Sequence, residues 1–282
     1  MLPTSYNALL VLLSLLIAIL ASYTVLDMAG RIKTANGRAA HGWLVGAASV
    51  MGAGIWSMHF VGMLAFALPI PLGYDPAMTM LSLLIAIGCS TVALWLVCRG
   101  TLTWHRLGGG AMLMGAGVAG MHYTGMASMH MSPGIQYDPL LVCLSVAIAV
   151  VASGAVLWIV FIRRTGSSRV RLLNLGAAVL MGAAIAGMHY TGMAAARFPL
   201  GSICGAARSS MDPGGLALVI VVATLAILAI ALIVSVLDLR LESRTAVLAT
   251  SLAEANQELT YLALHDTLTK LPNRVLLEDR ID

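Results

Sequence analysis

Charge is scarce in this chain. Acidic and basic residues together fill 10% of its 282 positions, against about 25% in an ordinary soluble domain. No Asp, Glu, Lys or Arg lies in the core of its long apolar runs, so a proton path through them would have to rely on histidine alone. Cysteine is scarce too. Cys89, Cys98, Cys143 and Cys204 form no CxxC pair, which excludes a thiolate zinc site and a disulfide framework. The first apolar run has neither a basic start nor a small-residue cleavage site, and further runs follow it at once. It is therefore expected to be a retained helix and not a removable leader.

What replaces charge is hydrocarbon. Hydrophobic residues make up 60% of the chain, and a membrane span needs about 20 mostly apolar residues at a rise of 1.5 Å each. Seven stretches qualify, near 8–28, 43–68, 77–98, 109–130, 140–162, 172–196 and 215–237. The breaks "LPIPLGYDP", "MSPGIQYDP" and "SSMDPGG" carry turn residues. The expected fold is an all-α integral membrane protein with seven transmembrane helices. Three parallel hairpin repeats (helices two and three, four and five, six and seven) follow helix one, and a cytoplasmic helix comes last.

Basic residues set the orientation, because the cytoplasmic flanks of spans are enriched in Lys and Arg. Fourteen of the sixteen fall after helices one, three, five and seven; only Arg197 and Arg208 fall on the other face. The expected topology is an outside (periplasmic) N-terminus and a cytoplasmic C-terminus, with helices two, four and six running outward. The net charge of +4 is accounted for by this rule and calls for no nucleic-acid partner.

The octamer "GMHYTGMA" occurs at 120–127 and again at 187–194. It sits within "MGAGVAGMHYTGM" and "MGAAIAGMHYTGM", with a third relative, "MGAGIWSMHFVGM", starting at Met51. Residues four apart share a helix face, so each copy aligns an imidazole with a thioether one turn on: His59 with Met63, His122 with Met126, and His189 with Met193. Met58, Met121 and Met188 stand beside the histidines. Polar side chains at membrane depth normally point into the bundle, so the three histidines should converge. Imidazole with soft thioether and no carboxylate points first to copper; haem, with His and Met as axial ligands, competes. Methionine is also an ordinary apolar filler. Tyr123 and Tyr190 are candidate hydrogen-bond donors to a bound group, although the first copy has Phe60 there. The glycines Gly52, Gly115 and Gly182, with Gly62, Gly125 and Gly192, read as small residues that let helices approach closely.

These residues carry a resemblance. Over roughly 6–239 the chain resembles the MHYT domain, a bacterial membrane sensor with seven spans and three such motifs. The resemblance implies a copper centre that senses oxygen, carbon monoxide or nitric oxide. After the seventh helix, Leu241, Leu248, Ala255 and Leu262 recur every seven residues, interleaved with Thr245, Leu252 and Leu259. That is the seam of a paired signalling helix, 240–264, and implies a homodimer. "HDTLTKLPNR", from His265, is similar to the opening of GGDEF diguanylate cyclase domains, so 265–282 is expected to be the truncated start of one. The GG(D/E)EF loop and its metal-binding carboxylates are missing, so the chain as it stands is not expected to be an enzyme. By the same resemblance, Asn273 would line a guanine pocket only in a longer protein. The expected function is a sensory input module of the bacterial inner membrane that controls a cyclic di-GMP output domain. The rival is a copper or proton transporter, against which the repeats speak: all begin on the same side, whereas transporter repeats are often inverted.

Overall fold

The computed structural model describes residues 1–34, 37–98, 103–162, 168–207, 212–266, 269–271 and 273. Among the described residues seven long helices are present: α1 (Ala8–Thr34), α2 (Gly37–Ala65), α3 (Pro76–Cys98), α4 (Trp104–Ala127), α5 (Pro139–Ile162), α6 (Ser168–Ala195) and α7 (Pro213–Leu264). Five of them, α1, α2, α3, α5 and α6, are long and apolar enough to cross a membrane. In α4, seven of 24 positions are glycine, which dilutes its hydropathy. The apolar part of α7 found among the described residues is the shorter Pro213–Ile227.

The chain divides into two units, Met1–Ala229 and Ile230–Asp282. Within the first, each of α1 to α6 packs chiefly on its neighbours in sequence, and α6 returns to α1, closing a ring. Helix one is therefore part of the repeat and not an addition to it. Its stretch "YNALLVLLSLLIAI" from Tyr6 matches "YDPAMTMLSLLIAI" from Tyr74 and "YDPLLVCLSVAIAV" from Tyr137. The expected partner of helix six was helix seven; α6 instead meets α1 closely through a glycine. A Cβ at Gly182 would lie 2.8 Å from the backbone nitrogen of Ile19, just as one at Gly52 would lie 2.6 Å from that of Ile87 and one at Gly115 would lie 2.7 Å from Cα of Val150. Ile19, Ile87 and Val150 end the three matching stretches.

Caps give the helix starts the same three-fold character. Asn7, Asp75 and Asp138 accept backbone N–H groups of α1, α3 and α5 through their side chains, the expected role of Asn and Asp at a helix N-terminus. Each also donates its own N–H to the end of a histidine-bearing helix: Asn7 to the Ala65 carbonyl at 2.8 Å, Asp75 to Ser128 at 2.9 Å, and Asp138 to Ala195 at 2.9 Å. Short antiparallel ladders finish this end of the ring. β1 (Ser5–Tyr6) pairs with β2 (Phe66–Ala67), β3 (Met131–Ser132) with β6 (Ile203–Cys204), and β4 (Gln136–Tyr137) with β5 (Ala196–Arg197).

In the second unit, Leu241, Leu248, Leu252, Leu259 and Leu262 lie on the helix and are exposed, which leaves the heptad leucines available as a seam. Asn273 is described: its side-chain amide donates to the Ala263 carbonyl at 2.7 Å. Of the expected GGDEF-like stretch 265–282, every residue after Asn273, with Arg274 and Arg280, lies outside the described residues, as do Arg99, Arg163, Arg164 and Arg208.

Candidate metal centre

His59 stands six residues before the end of α2, His122 five before the end of α4, and His189 six before the end of α6. At 1.5 Å per residue all three lie about 8 to 9 Å below the laddered end of the ring. All three are fully buried, and their rings pack edge to face with centroids 4.9, 5.0 and 5.2 Å apart. The Nδ1 atoms form a triangle: 3.0 Å between His59 and His189, 3.1 Å between His122 and His59, and 3.3 Å between His189 and His122.

Three imidazole nitrogens cannot satisfy one another in such a triangle. Each Nδ1 presents either an N–H or a lone pair in the ring plane, never both. With two states and three corners, at least one edge opposes two N–H groups or two lone pairs. A cation that accepts three lone pairs removes the conflict. The centre of the triangle lies about 1.8 Å from each nitrogen, a few tenths of an ångström inside the 2.0–2.1 Å typical of imidazole on a metal. No other group of three or more His, Cys, Asp or Glu among the described residues has this arrangement. The ring separations leave room for an ion among the histidines but none for a porphyrin.

Each Nε2 points outward, and would carry the proton were all three Nδ1 lone pairs turned to a cation. His59 Nε2 meets Gly125, His122 Nε2 meets Gly192, and His189 Nε2 meets Gly62, each in contact so close that a Cβ could not be accommodated. Every imidazole is thus seated on the glycine of the next copy around the ring. The glycine reading is split by this. Gly52, Gly115 and Gly182 do admit a neighbouring backbone, whereas Gly62, Gly125 and Gly192 admit a ring. All three Nε2 atoms are without a hydrogen-bond partner, which costs roughly 1–3 kcal/mol for each buried donor.

The other residues expected at the site are also close-packed: Met58, Met63, Met121 and Met126 are fully buried, and Met188 and Met193 nearly so. The tyrosine hydroxyls are engaged with serines on neighbouring helices, Tyr123 with Ser145 at 2.8 Å and Tyr190 with Ser14 at 2.9 Å. Phe60 has no hydroxyl, and in its place Trp56 donates from Nε1 to Ser82 at 3.1 Å. Ser14, Ser82 and Ser145 each bond back to a carbonyl three residues earlier and hold one register of the matching stretches. Nothing in the histidine motifs points to these serines, although "LS" recurs at the same place in all three stretches. Further out, Arg197 pairs with Asp138 at 2.7 Å and His130 approaches Asp75 at 3.6 Å.

Among the described residues, a ring of apolar helices surrounds a buried triad of imidazoles that could hold a metal ion, within the framework of a multi-pass membrane protein. The chain belongs to the MHYT family. The family's model, "Bacterial signalling protein N terminal repeat", matches three times, at 52–110, 115–173 and 182–249. The chain is 66% identical over its full length to the bifunctional diguanylate cyclase/cyclic di-GMP phosphodiesterase MucR of Pseudomonas aeruginosa, spanning 41% of that protein. It is 42% identical over 192 residues to the cyclic di-GMP phosphodiesterase NbdA of the same organism, and 39% identical over 196 residues to the signaling protein YkoW of Bacillus subtilis. The match covers 68% and 69% of this chain and 24% of each of those two proteins. No solved structure matches the chain. What the chain holds is the three MHYT repeats, and it spans less than half the length of the relatives it matches.

Proposed function

We propose that this region senses a diatomic gas (oxygen, carbon monoxide or nitric oxide) or redox state through copper held by His59, His122 and His189, and passes the result to a cyclic di-GMP output domain. The observation that carries the reading is the Nδ1 triangle, which is in conflict with itself unless a cation sits among the three lone pairs. Soft donors favour copper over zinc. Met63, Met126 and Met193, one turn on, and Met58, Met121 and Met188, beside the histidines, are the thioethers of the proposal. Bound copper would supply a one-electron couple and a coordination position for a gas.

The chain's own residues do the rest. The glycines Gly62, Gly125 and Gly192 seat the imidazoles, so a ring that tilts on binding presses on the helix of the next copy. Asn7, Asp75 and Asp138 tie the ends of α2, α4 and α6 to the starts of α1, α3 and α5, which gives that movement a path around the ring. In this reading the protein crosses the bacterial inner membrane seven times, with its N-terminus in the periplasm and its C-terminus in the cytoplasm. The helices α1 with α2, α3 with α4 and α5 with α6 form three parallel repeats around the histidines, and 240–264 pairs two protomers. Asn273 would acquire a nucleotide role only in a longer protein. Both the naming of MucR and NbdA and the exposed heptad leucines support a cyclic di-GMP output reached through a dimeric helix.

The test is metal analysis of the purified membrane region after anaerobic addition of Cu(I), followed by X-ray absorption at the copper edge. The expected result is about one copper per chain with two to three nitrogen ligands and added sulfur. Protein that retains no copper, or copper with no nitrogen in its first coordination sphere, would refute the reading.

A further inference from the structure

A tyrosine precedes each capping residue, and the three lean on corresponding aromatics of the motifs. Tyr74 meets Phe60 at 6.0 Å, Tyr137 meets Tyr123 at 5.5 Å, and Tyr6 meets Tyr190 at 6.0 Å. They are not equally closed. Tyr74 is 1% exposed and Tyr6 is 43% exposed, while Tyr137 is half-buried. Burial pushes the Tyr137 hydroxyl up to about 12 and that of Tyr74 well above its ordinary range, as expected of phenols shut away from water. Beside Tyr6 the ring opens into a cleft of about 340 Å³, walled by Tyr6, Phe66 and Tyr190 and reaching Met193 and Ala194.

We propose that this cleft is the port through which a soft monovalent metal ion, Cu(I), reaches the three histidines; this rests on the metal reading above. A bare ion cannot approach through the lipid-facing sides of the ring, where a charge is costly. Three aromatic rings, Tyr6, Phe66 and Tyr190, line the cleft, and aromatic rings attract cations. Met193 offers a thioether at the inner end, and His189 lies one helical turn deeper on the same face. Soft sulfur suits Cu(I) and not the hard divalent ions that accompany it in water. The other two positions have the same motif but are covered by Tyr74 and Tyr137, so loading runs through one side of a three-fold centre.

The repeated octamer supplies its own control. Ala194 lines the cleft, and Ala127 is the same letter in the other copy; both are exposed. In stopped-flow loading of the metal-free membrane region with Cu(I), Ala194→Trp is expected to slow uptake at least about tenfold while final copper per chain stays at the wild-type value. Ala127→Trp loads at the wild-type rate. Thr4→Trp, at the rim of the cleft and outside the helices, is expected to slow uptake in the same way and serves if Ala194→Trp does not accumulate. Wild-type rates in both Ala194→Trp and Thr4→Trp, with full final copper, overturn the port and leave the metal reading standing. Equal slowing by Ala127→Trp also overturns it. No copper at equilibrium in the unaltered protein overturns the metal reading, and the port with it.

Discussion

Replacing Gly125 with alanine adds one methyl group and should cost the protein its metal. In the structure that methyl would overlap His59 Nε2, and an ordinary contact would be restored only if the ring withdrew by about 1 Å. The ring is fully buried, so it has no solvent-filled space to enter, and the cost of overpacking is about 1–3 kcal/mol. A displacement of that size is several times the roughly 0.2 Å tolerance of a metal–ligand distance. One of the three Nδ1 donors is then lost or badly aimed. We expect Gly125→Ala to weaken copper binding at least 10–100-fold, the size of loss seen when groups supporting a ligand are removed, as measured by competition with a chromophoric Cu(I) chelator. Gly187→Ala is the matched control: it lies two residues before His189, and its Cβ would meet nothing within 4 Å. If Gly125→Ala binds copper like the wild type, or if Gly187→Ala loses as much, the seating of imidazole on glycine does not govern the site.

The remaining expectations separate ligands from packing. His122→Ala or His189→Ala should sharply lower copper per chain, and Met126→Leu or Met193→Leu should lower it with the fold retained, because Leu and Met have similar volume; full occupancy in the Leu variants would make the thioethers packing only. Tyr123→Phe and Tyr190→Phe remove hydroxyls bonded to Ser145 and Ser14. Each should cost about 0.5–1.5 kcal/mol in thermal stability and leave copper content unchanged, and a loss of copper would bring the tyrosines into the site. Leu252→Asp with Leu259→Asp puts charge into the heptad seam and should abolish crosslinking between protomers in detergent; crosslinking that persists would argue against a paired helix.

The three histidines were legible as a convergent group because Met and His recur at one helical register and polar groups inside a membrane must turn inward. Their arrangement through Nδ1 was not legible, since ring orientation depends on which residue faces the far side, and that residue comes from a different copy 60 or more positions away. For the same reason two sets of glycines looked alike: nothing within one helix tells a glycine that faces Ile87 from one that faces an imidazole. The closure of α6 on α1 was written in the letters, as the "LSLLIAI" shared by Leu13–Ile19 and Leu81–Ile87, but helix one stands before the first motif and its kinship is visible only when the outer helices are compared apart from the motifs. The tyrosines drew attention as polar groups beside the histidines. Their hydroxyls are used instead to hold neighbouring helices in register.

The three-fold axis through the histidines is made by one chain. A homotrimer would build such a centre from three copies of one gene product, and every mutation would strike all three positions at once. Here each third is inherited separately and can drift alone, as Phe60 with Trp56 already does against Tyr123 and Tyr190, and as Tyr6 does against Tyr74. A centre of this kind can have one weak donor and two firm ones, or one open side and two shut, without any subunit breaking ranks. Near-symmetry within a single polypeptide thus gives evolution a dial for each ligand, where an assembly of identical subunits would give it only one.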